Sequence, residues 1–138
     1  MATFDTSGVD QYAFDFASLA ELPGSVVDEM LEAEGRIIKD GQAETARAML
    51  RGEYYRDGVA GGVRAGKVKR SGGTKSVYVT FEGEQHGNRV AEIAFVNEFG
   101  KHNQPARPFI RTANEKYADR AVEAAEQIYD RFLSSKGL

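Results

Sequence analysis

Apolar residues recur from Val26 as Val27, Met30, Leu31, Ile37 and Ile38, then at Met49 and Leu50, at spacings of three, four and seven. Asp28, Glu29, Glu32, Arg36 and Lys39 take the opposite face. This is the period of an amphipathic helix. Leu22-Pro23-Gly24 marks its start, because a proline fits a first helical turn where its missing N–H costs nothing. Gly35 and Gly41 each weaken the helix by about 1 kcal/mol relative to alanine, so a bend or break near Gly41 and an open end beyond Asp40 are expected. A second long helix opens at Pro108. In it Ala113, Tyr117, Ala121, Ile128 and Phe132 recur with Ala118, Val122, Ala125, Tyr129 and Leu133, until Ser134-Ser135-Lys136-Gly137 stops it.

Between these helices the period changes to two. Val77, Val79 and Phe81 alternate with Tyr78, Thr80 and Glu82, which is the clearest strand pattern in the chain. After turn signals over residues 83–88, the short apolar run 90–96 reads as another strand, with a helical turn around Ala91-Glu92-Ile93-Ala94 as the alternative. Residues 100–108 read as a loop. In residues 52–73, Gly58, Gly61, Gly62, Gly66, Gly72 and Gly73 interleave with Arg56, Arg64, Lys67, Lys69 and Arg70, which predicts a strand and a long mobile loop. Residues 1–13 read as a flexible arm or an extended segment, and Phe14, Phe16 and Leu19 lead from it to the first helix. The pattern predicts one α+β domain over residues 1–138. A small antiparallel sheet of two to four strands is flanked by two long amphipathic helices, with a protruding Gly-rich basic hairpin or loop.

Composition narrows the function. The 138 residues with 41% hydrophobic suit one core, burying roughly two-thirds of the unfolded chain's surface. A formal charge of −3 argues against a general nucleic-acid binder and leaves only local contacts with DNA. The chain has no cysteine, which removes disulfides, thiol nucleophiles and cysteine-rich metal sites and suits a reducing compartment. Met1-Ala2-Thr3-Phe4-Asp5 has no basic region followed by an apolar run, and no stretch approaches the ~18 apolar residues of a membrane span. The expectation is a protein made and kept in the cytoplasm, with no membrane contact.

Candidate chemistry is incomplete at each place. Gly61-Gly62-Val63-Arg64-Ala65-Gly66-Lys67-Val68 follows the spacing of a phosphate-binding loop up to Val68, where the magnesium-binding Ser or Thr belongs. Tyr54-Tyr55-Arg56-Asp57-Gly58 before it is no buried strand, and Val68-Lys69-Arg70-Ser71-Gly72-Gly73 after it cannot open a phosphate-holding helix. His86 and His102 sit in polar turns, with Glu84 and Glu98 the nearest carboxylates in sequence, and lack the spacing of a zinc site. Asp28-Glu29 point different ways on a helix, and Ser71 or Ser76 has no nucleophile elbow around it. The sequence therefore assigns no catalytic, cofactor or metal residue, and the expectation is a protein that is not an enzyme. The basic stretch Arg56, Arg64, Lys67, Lys69, Arg70 and Lys75 is a docking candidate, for an anionic surface, or else a solvated loop.

Ala94-Phe95-Val96-Asn97-Glu98-Phe99-Gly100, followed by Pro105-Ala106-Arg107-Pro108-Phe109-Ile110 and a terminal amphipathic helix, resembles the gene-ten-like tail-component family of lambda-like phages. Such proteins are described as neck, head-tail joining or tail-completion proteins. Glu98-Phe99-Gly100 and Ala106-Arg107-Pro108-Phe109 fill both halves of that family's pattern, and Phe16 to Leu22-Pro23 before the first helix looks similar too. Arg47-Ala48-Met49-Leu50-Arg51-Gly52 departs from the Thr-Gly-x-Leu-like turn of many relatives. The resemblance implies a homo-oligomeric ring, six-fold to match the tail tube, at the head-tail junction of a virion assembled in a bacterial cytoplasm. Its implied partners are adjoining neck or connector and tail-tube proteins, with double-stranded DNA passing through the lumen. A small nucleic-acid-binding module is the runner-up, and a nucleotide-dependent enzyme the third reading. Pro108 holds Arg107 extended, and Phe109 is expected to enter the core and pin the helix start. Glu98 is expected to be an ion partner for Arg107 inside one subunit or across a subunit boundary, with a Pro-flanked helix start and solvated charges as the alternative.

Overall fold

The computed structural model describes residues 2–5, 10–14 and 22–137. In chain order the elements are β1 (Ala2–Asp5), β2 (Asp10–Phe14), α1 (Gly24–Met49), α2 (Glu53–Gly62), β3 (Val63–Ala65), β4 (Lys69–Ser71), β5 (Thr74–Phe81), β6 (Glu84–Gln85), β7 (Asn88–Arg89), α3 (Val90–Phe99) and α4 (Phe109–Ser135). The α+β architecture is the one the sequence pattern predicts. Phe16 and Leu19 lie outside the described residues.

The alternating segment forms β5 at the centre of a five-stranded antiparallel sheet. One edge of β5 pairs with β2, which in turn pairs with β1, so the described parts of the N-terminal segment are extended. The other edge is shared. β3 pairs with Ala65↔Val79 through Val63↔Phe81, and β4 with Lys69↔Ser76 through Ser71↔Thr74. Gly72 and Gly73 make the two-residue hairpin loop between β4 and β5, and φ of +59° at Gly72 is what the favoured hairpin turns require. Burial follows the predicted parity at Val77 and Val79, which are buried; Tyr78, Thr80 and Phe81 are half-buried, and Glu82, just past the strand, is exposed.

Helix α1 runs unbroken through Gly35 and Gly41 because both glycines are places of close approach. A Cβ at Gly35 would lie 2.7 Å from Val77 Cγ1, which sets α1 directly on the sheet. A Cβ at Gly41 would lie 2.5 Å from Cδ2 of Tyr117, which sets α4 directly on α1. Val27 and Leu31 close over Val77, and Ile38, Val63 and Val79 share a cluster with Ala113, Tyr117 and Ala121 of α4. Gly41→Ala is therefore expected to cost 1–3 kcal/mol through overpacking, about what a methyl forced into a filled core costs, despite the ~1 kcal/mol gained in helix propensity. Urea unfolding checks this, and a net gain in stability contradicts the packing.

Two local expectations are corrected. Residues 90–96 are not a strand: they belong to α3, whose last residue is followed by Gly100 at φ +77°. An apolar run of this length carries no period, and the glycine after Phe99 is a helix stop rather than a turn between strands. The glycine-rich segment, expected as a strand and a long loop, does hold strands in β3 and β4, but it begins with a helix, α2. Gly62 of that helix packs where a Cβ would meet Glu82 O at 2.6 Å and Val90 Cγ1 at 2.8 Å. Val59 and Ala60 of α2 join Val90, Ala94 and Phe109 in a second core cluster. Among the described residues, no helix is long and apolar enough to cross a membrane.

Candidate functional site

The two halves of the sequence motif meet in one clasp at the start of α4. Like any helix, α4 begins with backbone N–H groups that lack intrahelical partners, and Pro108 at its N-cap position offers no side-chain hydrogen bond. The buried carboxylate of Glu98 takes that role from α3. Ile110 N–H and Arg111 N–H each donate to Glu98 Oε1 at 3.0 Å. A carboxylate at a helix N-terminus also meets the positive end of the helix dipole. Burial pushes the Glu98 pKa above its ordinary value, and these two N–H donors pull it back.

Gly100 and Phe109 complete the clasp. A Cβ at Gly100 would lie 2.8 Å from Ala106 N and 2.9 Å from Gln104 O, because the loop after α3 folds back across it. That loop is tied by Arg107 N–H donating to Asn97 O at 2.6 Å and by Lys101 N–H donating to Gln104 O at 2.9 Å. Phe109 is fully buried with its ring edge-on to Phe81, centroids 5.7 Å apart, as expected of a side chain pinning the helix start. Within one copy of the chain the expected Glu98–Arg107 ion pair is not formed. The Glu98 oxygens are occupied by α4, and Arg107 is held through its backbone while its side chain lines a groove. Phe99, the aromatic of the motif, points outward: it is 53% exposed and lies 4.7 Å, centroid to centroid, from Phe95.

The groove beside α3 has a volume of about 440 Å³, with Arg51, Lys101 and Arg107 on its walls together with Glu92, Asn97 and Gln104. Among the described residues none of those three cations is in an ion pair. Sequence reading passed over Arg51 and Lys101, which come from segments 50 residues apart and meet only through the α2–α3 packing.

The basic docking candidates separate into two sets. Arg56 is in α2 and pairs with Asp57 at 3.3 Å. Arg64 donates to Gly61 O at 2.7 Å and Val63 O at 2.9 Å, satisfying carbonyls at the end of α2. Lys75 pairs with Asp28 at 2.8 Å and donates to Gly24 O at 3.2 Å, tying β5 to the start of α1. Lys67, Lys69 and Arg70 remain exposed on and beside β4, with Lys69 Nζ 5.5 Å from the Tyr78 ring centroid. The exposed basic unit is thus the hairpin around residues 66–73, paired to β5 in the sheet, and not the whole of 56–75, because Val59, Ala60 and Val63 are core. The loop-like Gly61–Val68 stretch ends a helix and forms a strand, so it lacks the strand–loop–helix geometry that holds phosphate.

His86 and His102 both lie in turns, His86 at φ +49° with its ring edge-on to Tyr55 at 6.3 Å. Among the described residues no group of three or more His, Asp and Glu is placed to hold a metal ion. The most perturbed titratable group is one the sequence pattern did not single out. Glu34 of α1 is fully buried, its two oxygens have no hydrogen-bond partner among the described residues, and desolvation raises its pKa to about 8. Its position four residues after Met30 and four before Ile38 puts it on the apolar face, which is the signal that identifies it. No family model, curated protein or solved structure matches the chain.

Proposed function

We propose that this chain is a structural subunit of a ring at the head-tail connection of a tailed phage, joining or completing the tail and enclosing the DNA channel. The observation that carries the reading is the clasp. Glu98, Gly100, Pro108 and Phe109, which carry the resemblance to tail components, make a single structural unit that turns Phe95 and Phe99 outward. A rigid unit presenting exposed aromatics suits assembly, where aromatic anchors supply much of the binding energy. The net charge of −3 suits a conduit, since each neutralised phosphate adds affinity and would hold DNA in place. In this reading the copies form a hexamer that sits between neck or connector and tail-tube proteins in the virion.

The test is a particle lacking the chain. Deleting its gene from the phage that encodes it is expected to leave filled heads and tails unjoined in electron micrographs, and supplying the chain in trans to restore them. Normal joined particles without it contradict the proposal.

A second reading, nucleic-acid binding, is favoured by the exposed Lys67, Lys69 and Arg70 on the hairpin. Replacing all three with alanine should change stability by no more than about 0.5 kcal/mol, as for other exposed charges. In the ring reading the triple variant joins fewer heads to tails while duplex DNA retention by the purified chain stays weak. Salt-dependent retention that the triple variant abolishes supports the second reading instead.

A further inference from the structure

Helix α3 carries apolar residues on all sides. Val90 and Ala94 are buried, whereas Phe95 and Phe99 are 56% and 53% exposed and in contact one helical turn apart, their rings tilted at 48°. Two adjacent exposed phenylalanines on a short helix make an apolar ridge, which marks an interaction surface more strongly than isolated exposed residues do. Beside the ridge lies the groove with Arg51, Lys101 and Arg107. Its acid, Glu92, is 3.9 Å from Arg89 and not paired with any of the three. An apolar ridge flanked by unpaired cations is complementary to an apolar strip bordered by carboxylates.

The chain carries such a strip. Glu115, Asp119, Glu123, Glu126 and Asp130 of α4 are all exposed, and their spacings of four, four, three and four place them on one stripe of the helix. None of the five has an ion pair among the described residues. The half-buried Val122 and Leu133 border that stripe by helical position. The clasp joins α3 to the first turn of α4, while the stripe occupies the later turns, so ridge and stripe are separate patches.

We infer that the α3 ridge of one copy docks on the α4 stripe of the next. Phe95 and Phe99 seat along Val122 and Leu133, and Arg51, Lys101 and Arg107 face the carboxylates. The occupant is a second copy because both complementary patches lie on this one chain. Since the patches differ, the contact is head-to-tail, the type that generates rings when its rotation closes. The inference deepens the ring reading above and rests on it.

Sedimentation velocity on the purified full chain tests it, using two variants that alter only exposed side chains. Phe95→Ser with Phe99→Ser removes the ridge, and Asp119→Lys with Glu123→Lys reverses the stripe. The unaltered chain is expected to exceed monomer mass as concentration rises from micromolar to millimolar, and less so as salt is added. Each variant alone should stay monomeric. Mixed in equal amounts they should form pairs of two chains and nothing larger, because each retains one working patch. An unaltered chain that is monomeric throughout, a variant that associates as the unaltered chain does, or a mixture that does not pair overturns the inference. Electron micrographs of the particle judge the ring reading separately. A ring at the neck together with associating variants sinks the ridge-to-stripe contact alone, and pairing variants with no chain in the particle sink the phage role alone.

Discussion

Phe109→Ala is expected to lower the unfolding free energy by about 3–5 kcal/mol, the usual cost of truncating a fully buried phenylalanine. The side chain is fully buried in a cluster that draws Ala46 from α1, Leu50 from just after it, Val59 and Ala60 from α2, and Val90 and Ala94 from α3. It is where α1, α2 and α3 converge on the start of α4. A domain of this size has roughly 5–15 kcal/mol in total, and the variant should unfold at far lower urea than the unaltered chain. Glu98→Ala separates clasp from core. It removes the acceptor of two N–H donors, and a net loss of about 1.5–3 kcal/mol is the scale for hydrogen bonds to a charged group. A Phe109→Ala variant as stable as the unaltered chain contradicts the packing described.

Glu34→Leu should stabilise the chain, and by an amount that depends on pH. The folded pKa of Glu34, about 8, lies above its unfolded value, so the folded state binds the extra proton and stability falls as pH rises between the two. Each pH unit in that window costs ~1.4 kcal/mol, giving roughly 3 kcal/mol by pH 7. Leucine has no proton to lose. The difference between variant and unaltered chain should therefore widen by about 3 kcal/mol from pH 4 to pH 7 and level off above pH 8. Thermal unfolding across that range measures it. A difference independent of pH means that Glu34 keeps an ordinary pKa in the fold.

The elements legible in the sequence are those whose burial is one-sided. The two long helices and β5 each put apolar residues on one face, and their periods of 3.6 and 2 are visible without any partner. The start of α4 at Pro108-Phe109 was legible for the same local reason. Helix α3 was not, because it is buried on one side and presents Phe95 and Phe99 on the other, leaving an apolar run without a period. Helix α2 was hidden by its glycines. Gly58 and Gly62 act there as points of close packing against Gln85 and residues 82–90, a role that depends on tertiary neighbours. The site divides likewise: Glu98, Gly100, Pro108 and Phe109 were found as a motif, but Glu98 capping α4, and not pairing with Arg107, follows from the loop that folds back over Gly100. The groove cations and the Glu34 carboxyl depend on which helices meet, and the Lys75–Asp28 pair on the β5–α1 contact.

The proposed ring is tested most directly by cryo-electron microscopy of the tailed particles that the proposal says contain the chain. The account predicts a closed ring of this α+β fold at the junction of head and tail, with the α3 ridge of each copy against the α4 stripe of its neighbour and DNA in the lumen. Joined, DNA-filled particles with no density for the chain at that junction would contradict it.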